Sequence, residues 1–147
     1  MLPSNLQPGS TTWYSSWSSS FPIVQVHEIG HNLGHPHSGR DGDAYDDGTC
    51  HMGNQGSWSD YGNKFCFNGV KTWRNGWHSS YHQPLDPNFS TYDGNLYGIN
   101  AVNDDKITEG VDKVVIKASS NSVDNDIYVM FNRRAGPNSG VPEFGDQ

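Results

Sequence analysis

The rhythm of hydrophobic and polar positions changes several times along this chain. Residues 1 to 20, MLPSNLQPGSTTWYSSWSSS, are polar and Ser-rich with no period, and they predict an irregular segment that packs through Trp13, Tyr14 and Trp17. Ile23, Val26, Ile29 and Leu33 then recur at near-helical spacing behind Pro22, which suits a first helical position. That helix should stop at Gly34 and Pro36. Residues 38 to 60 are rich in Gly, Asp and Ser, follow neither period, and predict a long loop.

A second helical pattern runs through Cys66, Val70, Trp73 and Trp77, with Asp60 or Asn63 as caps and Gly76 near its end. Its stripe is expected to bury against the first helix. Residues 78 to 92 read as a linker. VDKVVIKA and DIYVMFN, on either side of the turn-rich SSNSVDN, predict a β-hairpin. An isolated hairpin is marginal in water, so residues 95 to 102 are expected to add a third strand. The class is α+β.

Composition narrows the function classes. Only 33% of the 147 residues are hydrophobic, with 17 Gly and 8 Pro, so any core is modest, while 12% aromatic content argues for folding. The formal charge of -7, without clustered Lys and Arg, disfavours a nucleic-acid partner. No apolar run approaches a membrane span. The first 26 residues lack the basic start and apolar stretch of a secretory signal. Cys50 and Cys66 are too few for a disulfide scaffold; they can close one bridge across a short loop or stay as thiols. With the Asn88-Phe89-Ser90 glycosylation pattern, they lean towards an extracellular setting.

The chemistry is concentrated in HEIGHNLGHPH, residues 27 to 37. On a helix, His27 and His31 project from one face about 40° apart and can grip one metal ion. Glu28 is offset from His27 by about 100°, beside the metal, where its carboxylate can take a proton from water. Gly34 lets the chain turn so that a loop histidine completes the site. Spacing favours His37, with two residues between it and Gly34. His35 is expected to line the cleft or face solvent. Three neutral imidazoles suit Zn2+ and leave a fourth position open, as in catalytic zinc sites.

Other clusters carry blander readings. Asp41, Asp43, Asp46 and Asp47 lack the closing Glu of an EF-hand and read as a solvated acidic loop. His51 reads as a turn residue. His78 and His82, four apart beside Pro84, read as surface histidines. Trp58 and Tyr61 fit either a pocket wall or the core.

Met52, in TCHMGN, follows the extended HExxHxxGxxH motif in the manner of the metzincin clan of zinc peptidases. VQVHEIGHNLGHPHSG, YDDGTCHMGN, FCFNGVKTWRNGWH and YVMFNRRAGPNSG resemble the gametolysin family, the algal cell-wall-lysing metallopeptidases also called autolysins. The resemblance covers roughly residues 10 to 147 and implies zinc on His27, His31 and His37, Glu28 as general base, and Met52 as the floor of a Met-turn. It implies hydrolysis of peptide bonds in extracellular or cell-wall proteins and glycoproteins, and secretion.

The implied architecture is the C-terminal part of a metzincin-like domain, with zinc helix, Met-turn and second helix in residues 1 to 78. A linker of residues 79 to 92 and an antiparallel β-rich extension of residues 93 to 147 follow. Metzincins place a sheet ahead of the zinc helix, and only 26 residues precede His27. A partial chain is therefore expected. Two rival readings follow: a truncated zinc-binding relative without activity, and a wall-binding module with structural zinc.

Overall fold

The computed structural model describes residues 11–53, 66–86, 91–103, 106–119 and 126–141. Trp58, Asp60, Tyr61, Asn63 and the Asn88-Phe89-Ser90 pattern lie outside the described residues.

Helix α1 spans Pro22–Asn32, with Pro22 in the first turn, where its missing N–H breaks no helical bond. Its buried face is Ile23, Val24, His27 and Gly30. Ile29, expected in the apolar stripe, is 50% exposed. The face turned inward is the one bearing His27, so the histidine takes a place that periodicity gives to an aliphatic side chain. Phe21, Ile23 and Val24 form a small core closed by Val141, with Tyr14 packed against it. Trp17 lies 4.7 Å from Phe21 between ring centroids yet is 61% exposed, and Trp13 is more exposed still, so of the three expected packing aromatics Tyr14 alone joins this core. Leu33 caps the helix, and Gly34 turns the chain with φ 80°.

Helix α2, Gly69–Arg74, is shorter and begins later than the Cys66 to Trp77 periodicity implies. Asn68 is the cap: its side-chain oxygen accepts the Lys71 N–H at 3.3 Å. Helix α2 buries Gly69, Lys71 and Thr72 and packs on the sheet, contrary to the expectation of a stripe against α1. The residues that do meet Val26 of α1 flank α2. Phe67 and Trp77 enclose Cys50 and Met52 there.

The sheet runs in the order β1-β2-β3, with β1 at His82–Leu85, β2 at Val115–Ala118 and β3 at Ile127–Val129. The expected hairpin is present, since β2 and β3 pair antiparallel from Ile116↔Val129 to Ala118↔Ile127. The third strand is not the expected one. Residues 95 to 102 give only the bridges Leu96↔Lys113 and Gly98↔Phe131 and then turn into the 3₁₀ helix Ile99–Asn103.

Strand β1 comes instead from the stretch read as linker, and it pairs parallel with β2 from His82↔Val115 to Leu85↔Ala118. The sheet is therefore mixed, not purely antiparallel. Pro84 is tolerated because β1 is an edge strand. His82 anchors the strand by stacking on Trp73 of α2, 4.5 Å between centroids and 11° between planes. His78 and His82 are thus half-buried and not surface residues; burial lowers the pKa of both. Among the described residues, no helix is long and apolar enough to cross a membrane.

Candidate metal centre

One ligand atom from each of His27, His31 and His37 lies within 4.8 Å of the others. The first two come from one face of α1, and the third follows the turn at Gly34. The His31 and His37 Nε2 atoms are 3.1 Å apart. A tetrahedral zinc site with bonds of about 2.0 to 2.1 Å has an edge of about 3.3 Å, so this spacing needs little adjustment.

Backbone carbonyls settle which nitrogen of each helical imidazole is free. His27 Nδ1 is 2.7 Å from the His51 carbonyl, and His31 Nδ1 is 2.9 Å from the His35 carbonyl. A carbonyl only accepts, so both Nδ1 atoms carry the proton and both Nε2 atoms keep a lone pair. Those lone pairs are free to engage a cation. The donor set therefore fits a divalent metal that favours nitrogen, zinc above all.

Residues Cys50 to Gly53 form the turn beneath the cluster. The Met52 side chain is fully buried, with Cys50, Phe67, Val26 and Trp77 around it. A Cβ added at Gly30 would collide with Met52 Sδ, so the absence of a side chain at residue 30 lets α1 lie against this turn with Met52 in its present position. The Met52 carbonyl accepts the Ser38 N–H at 2.7 Å, which fixes the residue next to His37. The turn thus holds His27 through the His51 carbonyl and the His37 loop through Met52.

Lys71 supports the same loop from behind. It is buried, and its Nζ donates to Ser38 Oγ at 2.5 Å. Burial lowers its pKa, while Cys50 and Asp47 act to raise it. Asn68 donates to Asp47 Oδ2 at 3.1 Å and to Ser38 Oγ at 3.4 Å.

His35 departs from expectation. It is 4% exposed and not solvent-facing, and its Nε2 meets Asn75 Nδ2 at 2.8 Å, away from the metal-facing nitrogens. Its pKa is lowered by burial first, and Lys71 adds to this. The neutral ring accepts the Asn75 amide, while its carbonyl serves His31. Burial likewise pulls His51 down to about 4, and this turn residue proves to contribute through its carbonyl.

Glu28 follows His27 on α1 and is half-buried; it lies near enough to act on His37, whose pKa it tends to raise. Burial and the charges of His31 and His27 outweigh it, so the His37 pKa is lowered overall. Cys50 and Cys66 are free thiols here and form no bridge. Cys50 Sγ instead accepts the N–H groups of Met52 at 3.5 Å and Asn68 at 3.4 Å. Burial, with Cys50 nearby, pushes the Cys66 thiol up to about 11.

The acidic stretch folds into a defined turn. Asp41 and Gly42 both have positive φ, 52° and 89°, and Arg40 and Asp43 bridge antiparallel across them, as in a two-residue hairpin. Asp46 pairs with Arg40 at 2.7 Å, and Asp47 accepts from the Thr49 N–H at 2.9 Å. This hairpin brings in a residue that the sequence motifs did not mark: the Tyr45 hydroxyl is 3.0 Å from His37 Nε2. Only the proximity of Tyr45 to His37 in sequence hinted at it.

The family model for Gametolysin peptidase M11 matches residues 4–139. The chain belongs to this family. No curated protein and no solved structure matches it. Membership in a metallopeptidase family agrees with a histidine cluster close enough to bind a metal.

Proposed function

We propose that this family member is a zinc-dependent endopeptidase acting on extracellular or cell-wall proteins and glycoproteins. The observation that carries the proposal is the convergence of three imidazole nitrogens, with the Nδ1 atoms of His27 and His31 committed to carbonyls. His27, His31 and His37 would hold the ion. Zinc, when bound, supplies a Lewis acid that polarises a carbonyl and brings the pKa of a water to about 7.

Glu28 is the proton carrier. It follows His27 on α1, is only half-buried and is close enough to act on the charge of His37, so in this reading its carboxylate takes the proton of an attacking water and passes it to the leaving amine nitrogen. The carbonyls of His51 and His35 keep the ligand imidazoles in one tautomer and one orientation. The peptidase family supports a protein substrate, and the cell-wall setting rests on the family resemblance.

The test is cleavage of a denatured protein by the zinc-loaded chain, with and without chelator, alongside metal analysis. Equimolar zinc with chelator-sensitive cleavage is expected. Zinc binding without cleavage by the chain would contradict the peptidase reading.

A further inference from the structure

The acidic hairpin has no role in the chemistry above, yet it sets one side chain against the histidine cluster. Tyr45 is 46% exposed, and its ring lies 4.1 Å from the His37 ring and 6.3 Å from the His27 ring between centroids, nearly parallel to the latter at 23°. Its hydroxyl is 3.0 Å from His37 Nε2, close to the 3.1 Å that separates His37 Nε2 from His31 Nε2. The phenol oxygen therefore stands at ligand-to-ligand distance from the third ligand atom.

The surroundings hold it there. The Tyr45 N–H donates to Asp43 Oδ1 at 2.9 Å, and Arg40 and Asp43 exchange backbone bonds of 3.1 and 3.0 Å. Arg40 also pairs with Asp46, so the residues on both sides of Tyr45 are tied to one another. A phenol fixed in this way loses little entropy when it meets a ligand.

The Tyr45 hydroxyl carries one proton to donate. With the cluster empty, it shares a hydrogen bond with His37 Nε2. If His37 held a cation through Nε2, that nitrogen would no longer accept, and the Tyr45 O–H would need another acceptor nearby. A carbonyl oxygen that gains negative charge at the same centre is such an acceptor, and donors aimed at developing charge are the most effective.

We propose that Tyr45 is a catalytic hydrogen-bond donor whose hydroxyl meets the carbonyl oxygen of the peptide bond under attack. This role rests on the peptidase reading. The ring on His37 and the hairpin beneath it place the donor; the half-open position leaves room for a peptide to reach it.

The test uses the full 147-residue chain and Tyr45→Phe, which keeps the ring and removes only the hydroxyl. Zinc content, the absorption spectrum of the cobalt-substituted protein, and affinity for a phosphinic peptide and its matching amide peptide are measured. The phosphinate imitates the attacked carbonyl, so its binding requires no turnover. Tyr45→Phe should keep equimolar zinc, the wild-type cobalt spectrum and the amide affinity, while phosphinate affinity falls ~10²- to 10³-fold, the scale of one lost oxyanion donor.

Equal phosphinate affinity in both proteins overturns the proposal. A changed cobalt spectrum overturns it too, since Tyr45 would then be a metal ligand. Wild-type protein that binds zinc but gains no phosphinate affinity from it overturns the peptidase reading and the role of Tyr45 along with it.

Discussion

Gly30→Ala isolates the contact between the histidine helix and the turn below it. In an ordinary helix interior, alanine is favoured over glycine by about 1 kcal/mol. Here the new methyl would collide with Met52 Sδ and would lie 3.1 Å from Phe67 Cε1. Met52 is fully buried in one cluster with Cys50 and Phe67, so a shift of its sulfur repacks the side chains around it. Overpacking of this kind typically costs about 1 to 3 kcal/mol. The net effect of Gly30→Ala is therefore a loss of roughly 0 to 2 kcal/mol in place of the usual gain.

Met52→Ala removes the obstacle. On that background Gly30→Ala should recover its helical gain of about 1 kcal/mol. The two substitutions should thus be coupled by roughly 1 to 3 kcal/mol, well above the error of additivity for independent sites. Urea unfolding of the wild type, both single variants and the double variant, all with chelator present, measures this coupling without a contribution from metal binding. Equal stabilisation by Gly30→Ala on both backgrounds would refute the close approach of α1 to Met52.

Other outcomes follow from the same contacts. His37→Ala should weaken zinc binding far more than His35→Ala, whereas His35→Ala should lower folding stability through loss of a buried ring and its Asn75 bond; competition with a chromophoric chelator and urea unfolding separate the two effects. Burial lowers the pKa of His78 and His82, so below the reference value of about 6.5 the unfolded chain binds more protons than the folded one and stability must fall with pH. Replacing His82 with Gln should flatten the decline in urea midpoint between neutral pH and mild acid, and an unchanged decline would count against its burial beside Trp73.

The parts of this architecture that were legible in the sequence depend on local spacing. Pro22, the four-residue interval of His27 and His31, and Gly34 define a helix and its exit without reference to the rest of the chain. VDKVVIKA and DIYVMFN carry their own alternation. What escaped was set by distant partners. His35 is buried because Asn75, forty residues on, offers it an amide. Strand β1 exists because His82 stacks on Trp73 and its backbone finds β2, although HQPL shows no alternation. The late start of α2 reflects Asn68 winning the cap over the periodicity that begins at Cys66. Tyr45 reaches His37 only through the hairpin at Asp41 and Gly42, a fold-back that an acidic loop composition conceals.

The most direct test of the central claim is metal content and peptide cleavage measured on the same preparation of Glu28→Gln. Glu28 follows His27 on α1 but is not one of the three converging donors, and the amide keeps its shape while losing its basicity. Zinc should stay equimolar while cleavage falls ~10²- to 10⁴-fold, the usual contribution of a general base. Loss of zinc together with activity, or unchanged cleavage, would contradict the assignment of Glu28 as the proton carrier beside a three-histidine centre.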